Sequence, residues 1–223
     1  MLFRSVATCV VQGTLAPAVR FTVTLPEKVW SLRYVQLGCG GLCGRIDLQV
    51  PAAEGCAPLQ SGQLAMGATD MGHSGEGGRF GLDAGARADF AHRAQHLTAL
   101  AAKRLVQAYY GRAPGYSYFN GCSDGGREAL VMAQRYPQDF DGIVAGAPAL
   151  NFQVQNSLYH GWQVRANRGL KGEPILLADR LPLLHQAVLQ ACDVLDGVSD
   201  GLLSDPRACR FDPASIQIGR AHV

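Results

Sequence analysis

Residues Tyr116–Arg127 read YSYFNGCSDGGR, and this stretch decides the fold. Tyr116 to Phe119 reads as a short buried strand, and Arg127 to Tyr136 as a helix stopped by Pro137. Between them lies Gly121-Cys122-Ser123-Asp124-Gly125, a Gly-x-Ser-x-Gly pattern. In a chain with 27 glycines that pattern alone is weak, but a strand before it and a helix after it are the setting its chemistry needs. Small residues permit a sharp turn that pushes the Ser123 hydroxyl outward. The new helix then offers the Asp124 backbone N–H to a developing negative charge. Ser123 is therefore the candidate nucleophile, and Asp124 a candidate oxyanion donor.

Upstream, Arg20 to Leu25 alternates and is rich in β-branched residues, and Arg33 to Leu37 forms a second strand pattern. The glycine cluster Gly38 to Gly44 stops it. Gln63 to Thr69 is a third apolar run ending in a glycine-rich loop. Phe90, Ala94, Leu97, Ala101, Leu105 and Ala108 then fall three or four apart, the spacing of one apolar helix face, which Gly111 and Pro114 end. Ile143 to Ala145 supplies a further strand. Strands alternating with helices predict an α/β fold whose mostly parallel sheet is covered on both faces. A second oxyanion donor should come from an earlier strand end, and Gly40 or Gly41 in the Leu37–Gly44 loop fits that role. The rival reading, a phosphate-cradling loop, lacks the Lys-Ser/Thr ending.

Composition narrows the function classes. The formal net charge is +2, with 20 Lys+Arg against 18 Asp+Glu, so no basic stripe is available for nucleic acid. The apolar runs are too short for a membrane span. Hydrophobic residues at 48% and charged residues at 17% describe a globular chain. After Pro148 the pattern changes. Asn151 to Gly172 shows no period, and Asp179 is positioned to cap a helix carrying Leu184, Ala187, Val188 and Ala191 on one face.

Taken together, several segments resemble the tannase and feruloyl esterase family of α/β-hydrolases, from about Cys9 to Pro213. They are Gly38-Cys39-Gly40-Gly41 with Gly44, Thr69-Asp70-Met71-Gly72-His73 and Arg93-Ala94-Gln95-His96-Leu97-Thr98. Tyr118-Phe119-Asn120-Gly121-Cys122-Ser123-Asp124-Gly125-Gly126-Arg127-Glu128 and Phe140-Asp141-Gly142-Ile143-Val144-Ala145-Gly146-Ala147-Pro148 complete the set. The resemblance implies an α/β-hydrolase fold with an inserted lid domain, and hydrolysis of small aromatic carboxylic esters of feruloyl or galloyl type through an acyl-enzyme. It implies residues 6–150 as the first part of the catalytic domain and 151–217 as the start of the lid. Another acyl-transfer hydrolase sharing only the turn, or a calcium-stabilised non-catalytic binding module, are the alternatives.

A serine nucleophile needs a histidine base oriented by a carboxylate, in the chain order Ser, Asp, His for this fold. Only His160, His185 and His222 follow Ser123. In the family the catalytic histidine neighbours a cysteine bonded to the cysteine before the nucleophile, here Cys122, and no histidine here has such a neighbour. The triad is thus expected to be incomplete in this chain. His73 and His96 match family positions outside the triad.

Cys192 to Cys209 encloses Asp193, Asp196 and Asp200 among turn-forming glycines. Three carboxylates and the carbonyls of Val198 and Leu202 suit a hard cation, although by spacing alone this is equally a solvated acidic turn. The resemblance implies structural calcium in the lid, in a loop closed by Cys192–Cys209. Of seven cysteines, Cys9 is further expected to pair with Cys56 and Cys39 with Cys43, which leaves Cys122 without a partner. A disulfide framework implies a secreted or periplasmic protein. Residues 1–5 and 218–223 back-translate into two orientations of a common sequencing-adapter end, so both are expected to be foreign to the protein. Oligomeric state is not readable from the chain.

Overall fold

A computed structural model describes residues 7–50 and 56–216. The adapter-like ends and His222 lie outside the described residues. The chain divides into two compact units, Met1–Asn151 and Phe152–Val223.

The first unit is built on six strands: β1 (Thr8–Leu15), β2 (Val19–Pro26), β3 (Arg33–Leu37), β4 (Ala65–Thr69), β5 (Tyr116–Cys122) and β6 (Gly142–Gly146). Their order in the sheet is β1-β2-β4-β3-β5-β6. β1 and β2 form an antiparallel hairpin, and β2 runs antiparallel to β4. From β4 through β3 and β5 to β6 every pairing is parallel, with Leu37 opposite Asn120 and Cys122 opposite Gly146. The parallel half aligns the C-terminal ends of β3, β5 and β6, which is where ligands bind in open α/β sheets.

Strand alternation assigns the faces. Phe21, Val23, Leu25, Tyr34 and Phe119 point to one side and are buried. Two helices cover them: α3 (Ala94–Tyr110), through Ala99, Ala102 and Val106, and α4 (Asp124–Arg135), through Ala129 and Met132. The short helices α1 (Ala57–Gln60) and α2 (Ala84–Ala88) lie in the connections. Complete burial of Phe119 or Leu25 contributes roughly 1.5–3 kcal/mol each. Gly111 ends α3 in the left-handed conformation, φ 72°, as its place after the apolar face predicts. The opposite sheet face is less covered than expected. Val144 and Tyr116 are exposed and Tyr118 is half-buried, because among the described residues α3 and α4 pack on the same side.

The second unit contains α5 (His160–Ala166) and α6 (Leu181–Cys192), followed by a 3-10 turn over Asp193–Asp196. Asp179 does not cap α6. It sits inside a 3-10 turn, and Arg180 occupies the cap position without a side-chain bond. Leu184, Ala187 and Val188 are half-buried while Ala191 is exposed. Among the described residues no helix is long and apolar enough to cross a membrane.

Candidate active site

The turn between β5 and α4 is built by glycines that let backbones touch. A Cβ on Gly121 would fall 2.1 Å from the Gly125 carbonyl oxygen. That contact folds the chain back on itself immediately after β5. Ser123 takes the apex with φ 62° and ψ −118°, a region that normally demands glycine. Three hydrogen bonds hold it: Ser123 N–H donates to Gly146 O at 3.0 Å, and its carbonyl accepts from Ala149 N–H at 3.1 Å and Arg127 N–H at 3.2 Å. The side chain is exposed, and α4 begins with Asp124.

The sequence pattern starts the helix at Arg127, three residues late. Asp124, Gly125 and Gly126 form its first turn, buried against the loop after β3 and the residues after β6. The Asp124 carboxylate turns inward and receives Arg127 Nε at 2.6 Å and Nη2 at 2.9 Å. Arg127 spans further, to the Phe90 and Ala91 carbonyls, with its guanidinium 4.6 Å from the Phe90 ring centroid. Asp124 thus offers its backbone N–H at the turn while its side chain anchors the helix.

The Leu37–Gly44 loop meets this turn. Gly40, Gly121 and Cys122 line a cleft of about 400 Å³ with Gly38, Arg45 and Asn120. Gly40 is exposed, and a Cβ there would touch nothing within 4 Å. Gly41, at φ 62°, does not line the cleft. Cys39 and Cys43 form a disulfide across the loop. His73 braces it from outside: its Nε2 bonds the Leu42 carbonyl at 2.8 Å, and its ring stacks on Phe80.

Beneath the turn runs a buried polar chain absent from the sequence reading. Tyr34 donates its hydroxyl proton to Gln36 Oε1 at 2.8 Å, and Gln36 Nε2 donates to Gln95 Oε1 at 2.6 Å. Gln95 Nε2 donates to Glu128 Oε2 at 2.5 Å. The other carboxyl oxygen of Glu128 lies 2.8 Å from Cys39 Sγ and 3.3 Å from Cys43 Sγ. Burial, reinforced by the Asp124 charge, raises the Glu128 pKa well above the usual range, against the opposing pull of Arg127 and the Gln95 bond. These partners lie 33 and 59 residues apart in the chain, beyond any local signal.

Among the described residues the Ser123 hydroxyl has no hydrogen-bond partner. His96 is engaged elsewhere, its Nδ1 bonding Asp139 at 2.7 Å. His160 and His185 belong to the second unit. Cys122 is a free, exposed thiol. The expected Cys9–Cys56 bridge is not formed, and both are free thiols. The register that sets Cys9 opposite Leu25 turns its side chain onto the core cluster, while Cys56 sits at the N-terminus of α1.

In the second unit Cys192 and Cys209 are bonded. Asp193 accepts from Ser199 Oγ at 2.7 Å and Gly201 N–H at 2.9 Å. Asp196 accepts from Ser204 Oγ at 2.5 Å and Val198 N–H at 3.0 Å, bonds that lower its pKa, and Asp200 accepts from Leu202 N–H at 3.0 Å. These carboxylates bond back into their own loop. Among the described residues the one group of three or more acidic, Cys or His ligands with atoms within 4.8 Å is instead Cys39, Cys43, Asp124 and Glu128.

Residues 4–221 match the family described as tannase and feruloyl esterase. An uncharacterized esterase of Xanthomonas campestris pv. campestris is 39% identical over 214 residues, covering 93% of this chain and 36% of that protein. A mono(2-hydroxyethyl) terephthalate hydrolase of Piscinibacter sakaiensis is 35% identical over 221 residues, with 88% of this chain and 36% of the relative covered. The crystal structure of feruloyl esterase B from Aspergillus oryzae superposes with a TM-score of 0.75 at 30% identity, covering 93% of this chain and 41% of that one. The chain therefore spans about a third of the length of the curated relatives it matches. With this match over almost its whole length, and an α/β sheet that carries the serine turn, the chain belongs to the tannase and feruloyl esterase family.

Proposed function

We propose that the protein is a serine carboxylic ester hydrolase acting on small aromatic esters, the chemistry named for its feruloyl and terephthaloyl esterase relatives. One observation carries this reading: the strained, exposed Ser123 between β5 and α4, beside the cleft lined by Gly40. Ser123 Oγ attacks the ester carbonyl carbon. The Asp124 N–H, with that of Gly40 or Gly41, takes the developing oxyanion. Collapse expels the alcohol, which receives the serine proton through a base, and leaves acyl-Ser123. Water then releases the carboxylic acid and restores the hydroxyl.

The base and its orienting carboxylate belong, in this reading, to sequence beyond this chain. Support comes from the lack of a partner for Ser123 among the described residues and from the third of the relatives' length that is covered. The test compares the 223-residue chain with the same chain extended along its reading frame, on a nitrophenyl or feruloyl ester. The extended protein should turn over and Ser123→Ala should abolish it, while the chain alone shows no Ser123-dependent hydrolysis. Ser123-dependent turnover by the chain alone overturns the split.

In the same reading residues 6–150 open the catalytic domain, 151–217 open a lid, and the protein works in a secreted or periplasmic setting, which its two disulfides favour. The all-oxygen donor set of Asp193, Asp196 and Asp200 with the Val198 and Leu202 carbonyls fits calcium, and Gly197 and Gly201 supply left-handed turns. Bound calcium would stiffen this loop without touching substrate. Calorimetry with calcium tests this: Asp200→Ala should weaken binding, and unchanged affinity rejects the site.

A further inference from the structure

We propose that the loop after β3 and the first turns of α4 hold a second, redox-gated site: with the Cys39–Cys43 bridge open, Cys39, Cys43, Asp124 and Glu128 bind a thiophilic divalent cation such as zinc. The four ligand atoms lie within 4.8 Å of one another and all four residues are buried. They come as two pairs, each four residues apart, from elements that face each other across the turn. A tetrahedral zinc with bonds of about 2.0–2.3 Å separates its ligands by roughly 3.3–3.8 Å. Cys43 Sγ already stands 3.3 Å from Glu128 Oε1 and 3.6 Å from Asp124 Oδ2.

The surroundings orient these ligands as metal sites require. Gln95 holds Glu128 Oε2 and leaves Oε1 toward the sulfurs. Arg127 fixes the Asp124 carboxylate and supplies one positive charge. The start of α4 adds a favourable dipole for the anionic cluster. Two thiolates and two carboxylates make a closed four-ligand set of the kind zinc takes, and offer too few oxygens for calcium or magnesium.

The disulfide and the metal exclude each other. A phosphine reductant gives the bridge two electrons, its phosphorus taking an oxygen from water, and two protons complete the thiols. Metal binding then sends both thiol protons to solvent. The bridge closes the loop carrying Gly40 and Gly41 on itself, whereas the cation ties that loop to the helix that follows Ser123.

The experiment titrates the phosphine-reduced 223-residue chain with cobalt and then zinc, beside the unreduced chain. One equivalent of cobalt should bind with thiolate-to-cobalt charge-transfer absorption, zinc should displace it, and the unreduced chain should show no such bands. Cys39→Ser/Cys43→Ser retains the other five cysteines and should lose the signal. Glu128→Gln keeps every sulfur and should weaken zinc by at least the roughly 10–100-fold that accompanies loss of an outer-shell partner. Absence of the bands in the reduced chain, or the same bands in the double variant, overturns the proposal. If the double variant does not fold, Glu128→Gln decides, and unchanged zinc affinity there is equally fatal.

Discussion

Gly38 and Gly125 meet backbone to backbone: a Cβ on Gly38 would fall 2.6 Å from Gly125 Cα, and one on Gly125 would fall 2.9 Å from the Gly38 carbonyl carbon. No side chain can yield at this contact, so even one methyl must separate the loop from the helix. Gly125→Ala should destabilise the chain by about 1–3 kcal/mol, read from urea unfolding. A change smaller than about 0.5 kcal/mol would mean that the two segments are not in contact.

Gly40 behaves in the opposite way. A methyl there meets nothing of the protein but enters the cleft beside the turn. Gly40→Ala should leave unfolding within about 0.5 kcal/mol of the parent. In the catalytically complete protein it should lower kcat/KM by about 10²-fold, because the ester carbonyl is displaced. Unchanged kinetics would remove Gly40 from the oxyanion role.

Arg127 and Asp124 form a buried ion pair, with side chains 15% and 2% exposed. Truncating Arg127 strands a carboxylate in the core. Arg127→Ala should cost about 3–5 kcal/mol, and adding Asp124→Asn should recover part of that loss. Denaturant titration of the three chains checks this, and a double variant no better than the single one would refute it.

Burial, with Arg135 and Arg93 nearby, lowers the His92 pKa below 6.5, while Nδ1 bonds the Tyr136 hydroxyl at 2.7 Å. For a base with a depressed native pKa, the unfolded chain binds more protons in the window between the two values. Stability therefore rises with pH through that window and is lost as pH falls below about 6.5. Melting temperatures from about pH 7 to about pH 5 should fall less steeply for His92→Gln than for the parent. Parallel curves would show that His92 does not titrate across folding.

The serine turn was readable because its requirement is local: small residues between a strand pattern and a helix pattern admit few other backbones. β1 has no clear signature in the sequence, since Thr8–Leu15 is a half-exposed edge strand interrupted by Gln12 and Gly13, and its partner β2 defines it. The early start of α4 escaped because Asp124-Gly125-Gly126 has poor helix propensity, overridden by packing against Gly38 and Gly146. Arg127 and Glu128 gave no sign of their roles, which arise only where the loop after β3 folds over the helix. Cys9 and Cys56 show the limit of counting thiols, because pairing depends on whether the fold brings a strand residue and a helix cap within bonding distance.

At Ser123 the backbone sits where a residue without a side chain would rest more easily, a misfit of about 1–3 kcal/mol. Replacing it with glycine would therefore yield a sturdier protein that lacks the proposed nucleophile, whereas the usual alanine control keeps the misfit. A screen for heat resistance on this scaffold would favour loss of the Ser123 hydroxyl, and selection for thermal robustness should hold position 123 constant.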